Sequence, residues 1–594
     1  MRNIISLVKE SFKRLTPDGR KTLTIYTSSL VVVSGLDAVA LLILAKFFQT
    51  SASSSALQSS TYFSVGLVIF LFLSKSLLST GVSYVAIRKF AEQEVFIGQE
   101  NYQKIEELPW THRKNFKQSD YFTLVDRGPN ILVQGLMLSS ATVVAESLSA
   151  LVIVFVLFFT QPVTAVVSLT YFLFVVFVQH RLLSVASSNA GFSMNKSTAA
   201  TYDFLGDGAK FSKILQIMPS LSFLSELEKE RKSLATARAK VNFLATLPRY
   251  FMETILALGF VVIAGFVLLL QGPDQVLPAI SLFAAAGFRL LPIFNRIQGG
   301  ILSSFSYEPI VRECLSLESE VELSAYNLAV RVQARVNERT TTHGQVNLPV
   351  LDSEIAMRMV NVSYKHQNSN NLSLEGVSLS FEFGKQYAIV GPSGSGKTTL
   401  VDIVLGLLPP ASGTITWNED RVFSVAYVPQ DTCISVGSLF QNIAIEWSND
   451  AINMARAVSA MRAAKLEHNF DDTGKRVSVG VTEVENLAME LSGGQKQRLG
   501  LARAFYRDPN FIVLDEATSS LDAVLEREIM EEVEKFRDKV TTVIVAHRLS
   551  TIQNADQIIY IEDGKVLGIG TFRELIKKIP AFEAQVKLGE LNTN

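Results

Sequence analysis

Gly391-Pro-Ser-Gly-Ser-Gly-Lys-Thr-Thr399 lies directly between a short β-branched run, YAIV (387–390), and an apolar helical run, LVDIVLGLL (400–408). Strand, GxxxxGK[ST], then helix is the order that a phosphate-binding loop requires. Gly391, Gly394 and Gly396 allow backbone N–H groups to close around phosphate oxygens. Ser393 and Ser395 belong to the same cradle, and the helix N-terminus adds a favourable dipole. Lys397 is placed to reach the terminal phosphates, and the hydroxyl of Thr398, followed by Thr399, to hold Mg²⁺.

Downstream, FIVLDE (511–516) is an apolar strand that ends in two carboxylates. Asp515, at a buried strand end, suits a Mg²⁺ shell, and Glu516 beside it is placed to orient an attacking water. The same half carries FSVAYV (423–428) and TTVIVAH (541–547), β-branched runs that alternate with helical patterns. That texture predicts an α/β domain with a largely parallel sheet, from about residue 356 to the end.

Between the loop and the carboxylates stands Leu491-Ser492-Gly493-Gly494-Gln495, followed by the helical run KQRLGLARAFYR. It is a second helix start with close-approach glycines, hence a second surface for phosphate. With it, the region resembles the ATP-binding cassette of ABC transporters. LSGGQ is similar to the family signature, Tyr427–Gln430 to its Q-loop, Ser519–Asp522 to its D-loop and Ala546-His547-Arg548 to its switch-histidine loop. The resemblance implies ATP and Mg²⁺ as ligands, with Gln430 joining Thr398 and Asp515 around the metal and His547 meeting the γ-phosphate. It also implies that Ser492, Gly493, Gly494 and Gln495 close over ATP held by a partner cassette. For adenine the family uses an aromatic side chain; in NVSYKH (361–366) both Tyr364 and His366 are placed to stack, and position selects His366. The segment TEVENLAME (482–490) departs from the family with Glu485 and Ala488 where exporters tend to have glycine, and Ser520 replaces the usual Ala.

The first half has a different composition. Apolar stretches near 23–48, 62–87, 131–160, 162–185, 247–271 and 275–304 are each long enough to cross a hydrocarbon core, which takes about 20 helical residues. Six Lys and Arg precede residue 22 and seven lie between 88 and 130, whereas 49–61, 160–162 and 271–275 hold none. Positive residues stay cytoplasmic, so both termini and two long polar hairpins, about 88–130 and 186–246, are expected in the cytoplasm. Residues 1–22 read as an amphipathic N-terminal helix at the membrane interface, 23–315 as the membrane domain and 316–355 as a polar linker before the cassette at 356–594.

The predicted fold class is therefore multi-domain: an all-α six-helix transmembrane domain followed by an α/β P-loop ATPase domain. Joined on one chain, these resemble a half-size ABC exporter, which implies a second half-transporter subunit in the cytoplasmic membrane, with a homodimer preferred and a heterodimer left open. Two short segments, GLDAVALLILAKF (35–47) and FRLLPIFNRIQGG (288–300), resemble the subset that flips lipid-linked oligosaccharides or exports polysaccharide. Other cargo consistent with this architecture is a hydrophobic drug, lipid or peptide. A channel-like or regulatory protein gated by ATP is the rival from another class, against which Glu516 and His547 both speak.

Ionisable residues within the spans are Asp37, Lys75, Glu146, Glu253, Arg289 and Arg296. Each costs about 2.5–3.5 kcal/mol or more at a helix centre in lipid, so each should face protein or a wet cavity. Arg289 and Arg296, two turns apart on one helix face, suit the phosphate of an anionic cargo; pairing with Glu146, Glu253 or Asp37 inside the bundle is the competing reading.

The 594 residues carry 55 Lys plus Arg against 56 Asp plus Glu, a net charge of −1, which excludes a chain organised around nucleic acid. Hydrophobic residues at 48% and charged residues at 19% are too apolar for a wholly soluble chain of this length. Two cysteines, Cys314 and Cys433, allow no cysteine-rich metal site and read as neutral thiols.

Overall fold

The computed structural model describes residues 2–51, 58–160, 162–218, 220–272, 276–341, 354–366, 371–418, 424–467, 491–518, 521–546 and 552–591. They form two compact units, Met1–Val336 and Asn337–Asn594.

The first unit is helical. Its principal helices are α1 (Arg2–Arg14), α2 (Pro17–Ser51), α3 (Gln58–Glu107), α4 (Leu138–Thr160), α5 (Pro162–Lys210), α6 (Leu221–Gln271) and α7 (Val276–Thr341). Four stretches among the described residues are long and apolar enough to cross a membrane: Gly66–Glu107, Gln118–Phe155, Leu169–Lys210 and Ser222–Leu269. At 1.5 Å per residue, the 50-residue α3, 49-residue α5 and 51-residue α6 are each roughly 75 Å long. A hydrocarbon core is only about 30 Å thick, so more than half of each helix extends beyond it.

Three features differ from the sequence expectation. The N-terminal helix ends at Arg14, and a second begins at Pro17, where Thr16 Oγ1 accepts from Gly19 N (3.1 Å) and proline needs no N–H partner. One face of α1 is covered by protein: Leu7 and Leu15 are buried in a cluster with Phe90, Ile97, Leu132 and Leu136, while Ile5 and Phe12 remain exposed. Arg14 is buried too, donating to Glu100 Oε1 (2.9 Å) and Asn101 Oδ1 (3.1 Å).

The second difference lies before α4. Phe122–Arg127 and Ile131–Met137 are wide, π-helical turns flanking Gly128-Pro129. Proline removes an N–H from the regular ladder, and Asn101 Nδ2 donates to Leu124 O (2.7 Å) within the first of these turns. Third, α7 continues through Pro292 and Pro309 to Thr341, across much of the 316–355 segment expected to be a linker. No Gly or Pro occurs between Pro309 and Gly344, and the stretch is rich in Glu, Leu, Ala and Arg, all good helix formers.

The second unit holds two sheets. β1 (Ile355–Tyr364) pairs antiparallel with β2 (Leu374–Glu382) and with β4 (Ser412–Trp417). The larger sheet has the order β5-β6-β7-β3-β8-β9, with β3 (Gln386–Val390), β5 (Val425–Val428), β6 (Phe511–Asp515), β7 (Thr541–Val545), β8 (Gln557–Glu562) and β9 (Lys565–Gly570). It is parallel except for the β8/β9 hairpin. β3, β7 and all but the last residue of β6 are buried throughout, as expected for strands covered on both faces. The carboxyl ends of such strands are where an open α/β sheet binds ligands.

Candidate nucleotide site

β3 runs out at Val390 into the phosphate-binding loop, and α8 (Lys397–Val404) begins at its end. The loop is packed too tightly for side chains at two glycines. A Cβ on Gly391 would lie 1.9 Å from Ile561 O, and one on Gly396, which has φ +103°, 2.6 Å from Ser373 O. The β8/β9 turn braces it, since Gly564 N donates to Ser395 O (3.0 Å). Ser395 Oγ is buried and has no hydrogen-bond partner among the described residues.

Lys397 Nζ donates to Gly391 O (2.9 Å) and Pro392 O (2.8 Å). Burial lowers its pKa, and the carboxylates of Glu516 and Asp515 oppose that shift. Both carboxylates are thus within electrostatic reach of the ammonium. Asp515 ends β6 and accepts from the Tyr427 hydroxyl (3.2 Å). Burial raises the Tyr427 pKa and the adjacent Asp515 charge raises it further, so Tyr427 stays a protonated donor. Glu516, at φ +49°, accepts from Gln430 Nε2 (2.8 Å) through Oε2.

These groups surround a cavity of about 860 Å³ lined by His366, Ser393, Gly394, Gly396, Lys397, Thr398, Thr399, Gln430 and Glu516, together with residues that sequence reasoning did not single out: Asn371, Leu372, Ser373, Asp563 and Gly564. Asp563-Gly564 is legible as a hairpin turn, but its place against the loop depends on β8 pairing beside β3, which no local pattern reveals. Tyr427 was read only as part of the Q-loop; its bond to Asp515 follows from β5 pairing beside β6. His366 Nε2 is 3.3 Å from Thr399 Oγ1, and its ring meets Tyr364 edge-on at 5.0 Å. Tyr364 itself is buried and is not part of the cavity wall. The Thr398 hydroxyl, Asp515 carboxylate and Gln430 amide oxygen are hard oxygen donors of the kind Mg²⁺ prefers, so the residues present fit that ion.

Leu491 and Ser492 lead into α9 (Gly493–Arg507), where Ser492 and Gln495 cap each other: Gln495 N donates to Ser492 Oγ (3.3 Å) and Ser492 N to Gln495 Oε1 (2.9 Å). None of Ser492, Gly493, Gly494 and Gln495 is in the described lining of the cavity. Asp522 caps the next helix, α10 (Ala523–Glu534), accepting from Val524 N and Leu525 N. His547, Arg548, Ser519, Ser520 and the 482–490 segment lie outside the described residues.

In the helical unit, Arg296 Nε donates to Glu146 Oε1 at 2.5 Å, and Arg249 Nε to Glu253 Oε1 at 3.0 Å. The competing reading of Arg296, an ion pair inside the bundle, is therefore the one its geometry supports. The side chains of Arg289 and Asp37 lie outside the described residues.

A strand-loop-helix phosphate cradle after β3, an aspartate and glutamate at the end of β6, two strands away, and a glutamine bonded to that glutamate are the arrangement of this unit, and residues 374–519 within it match the ABC transporter family model. The whole chain has the fold of a half-size ABC exporter, a helical N-terminal unit followed by an α/β cassette: it superposes on a bacterial Atm1-family ABC exporter with ATP bound at a TM-score of 0.75 and 17% identity, covering 96% of this chain and 99% of that one. Among curated relatives, an ATP-dependent lipid A-core flippase of Ralstonia nicotianae is 37% identical over 233 residues, which is 37% of this chain and 39% of the flippase. ABC transporter B family member 14 of Arabidopsis thaliana is 35% identical over 257 residues, 41% of this chain and 19% of the relative. The matched segment thus spans well under half of either relative's length.

Proposed function

We propose that the chain is one half of a dimeric transporter, with six membrane spans and both termini in the cytoplasm, that couples hydrolysis of MgATP to outward movement of an amphipathic, lipid-linked saccharide. The observation that carries the reading is the convergence of Lys397, Gln430 and Glu516 on one cavity, with Asp515 in electrostatic reach of Lys397, in a chain with helices apolar enough for lipid. Lys397 holds the β- and γ-phosphate oxygens, and backbone N–H groups of the loop between Ser393 and Thr399 supply further donors. Mg²⁺, held by Thr398, Asp515 and Gln430, would neutralise charge on the phosphates. Glu516 takes the proton of the attacking water. Ser492 to Gln495, absent from the described lining of this chain's own cavity, serve a partner copy, and His547 contacts the γ-phosphate.

The lipid A-core flippase named above supports the saccharide cargo. The decisive experiment reconstitutes the full chain in liposomes and measures ATPase stimulation by lipid-linked saccharides, plain lipids, peptides and drugs. Stimulation by the saccharide class alone is expected; stimulation only by drugs or peptides would replace this cargo with the other one. No hydrolysis at all would favour the ATP-gated channel-like class.

His366 is proposed as the adenine contact, because it lines the cavity and Tyr364 does not. A His366→Ala change is then expected to weaken ATP binding several-fold, and His366→Tyr to preserve or tighten it, since a larger ring stacks better. Equilibrium binding of a fluorescent ATP analogue reads both; a response to Tyr364→Ala with none to His366→Ala would overturn the assignment.

Arg289 is the proposed contact for an anionic group of the cargo, while Arg296 is proposed to pair with Glu146, a reading that their 2.5 Å contact supports. Arg296→Ala leaves Glu146 without its partner, and is expected to lower the melting temperature by several degrees. Adding Glu146→Gln should restore it, since the cost is the stranded charge. A stable Arg296→Ala protein that hydrolyses ATP but no longer transports would instead support cargo contact.

A further inference from the structure

Between α5 and α6 a groove of about 400 Å³ opens on the apolar surface of the helical unit. Its walls are hydrocarbon and aromatic, including Phe174, Val178, Leu182, Leu247 and Phe251, and no charged side chain is in its described lining. One member does not belong to that chemistry. Gln179 is only 4% exposed, lines the groove, and has neither its Nε2 nor its Oε1 hydrogen-bonded. An amide buried with both ends unpaired costs roughly 1–3 kcal/mol by protein mutational data, and the groove's described walls supply it no partner. The neighbouring polar group on this wall is already satisfied, as the Tyr171 hydroxyl donates to Ile255 O (2.7 Å).

The depth of Gln179 narrows what could satisfy it. It lies 17 residues beyond Pro162, where α5 starts after its short connection from α4, or about 26 Å along the helix. With a core about 30 Å thick, that is close to the boundary on the side where α5 leaves the membrane, the level of a lipid's glycerol backbone. A single hydroxyl can both accept from Nε2 and donate to Oε1. The uncharged walls match a neutral molecule and offer nothing to a phosphate. We infer that the α5/α6 groove binds a neutral, hydroxyl-bearing lipid of the diacylglycerol type, its chain along Phe174, Val178 and Phe251 and its hydroxyl on the Gln179 amide.

The experiment places the full chain in phosphatidylcholine nanodiscs containing a diacylglycerol with a photoactivatable diazirine on its acyl chain, and maps the labelled peptides by mass spectrometry. Labelling of α5 and α6 around the groove is expected, reduced at least five-fold by Gln179→Leu and abolished by Val178→Trp, which fills the space. Unlabelled diacylglycerol should compete, and its acetyl-capped form should not. Thermal unfolding of both variants at or above the parent's temperature shows that they fold. The proposal falls if Gln179→Leu labels as well as the parent, or if the acetyl-capped lipid or phosphatidylglycerol competes equally. It also falls if single cysteines placed in the groove cross-link between two copies, since a second chain is then the occupant.

Discussion

A Glu516→Gln chain is expected to bind ATP with parent-like affinity and hydrolyse it about 10²- to 10⁴-fold more slowly, the range a positioned general base contributes. The substitution keeps the side chain's size and leaves an amide oxygen to accept from Gln430 Nε2, as Glu516 Oε2 does at 2.8 Å. What it removes is the basic carboxylate. Phosphate release measured beside equilibrium ATP binding separates the two effects, and because ATP persists, the nucleotide-loaded form should accumulate. A rate within a factor of two of the parent would reduce Glu516 to an acidic neighbour of Asp515 and leave the identity of the base open.

Lys397→Ala is expected to fail at the earlier step. Hydrogen bonds to charged groups contribute about 1.5–3 kcal/mol each, so loss of the ammonium from the phosphates should weaken ATP binding by about 10- to 150-fold and abolish turnover. The variant should fold: Lys397 bonds within its own loop, to Gly391 O and Pro392 O, and the helical unit is a separate compact body. Near-parental hydrolysis would contradict the phosphate role outright. The two variants differ in kind, one losing affinity and the other only rate, so binding measurements alone distinguish them.

Much of the cassette was legible because its chemistry is local. Loop, strand and helix around Lys397 are contiguous in sequence, as are Asp515 and Glu516 at the end of an apolar run, and in the structure Lys397 and Glu516 line one cavity with Asp515 at the end of β6 beside it in sequence. What escaped depends on pairing between distant strands. Tyr427 meets Asp515 across β5 and β6, and the Asp563-Gly564 turn meets the loop only because β8 lies beside β3. In the helical unit, hydropathy found the apolar stretches but not where helices stop, since α7 passes Leu315 without a breaker. Charge within the spans signalled that partners exist, yet not which: Arg296 chose Glu146 on another helix, 150 positions away.

The backbone at Glu516 carries a cost that the protein as a whole must bear. Its φ of +49° belongs to a region that side-chain-bearing residues other than Asn and Asp seldom occupy, and it is held there with its N–H on Val545 O (3.2 Å). Glycine or asparagine would relax in that position, so a library of variants selected for heat resistance alone should enrich both at 516. The survivors would be sturdier and unable to turn over nucleotide. Durability and work are in opposition at this single residue, and any stabilising campaign has to hold position 516 fixed.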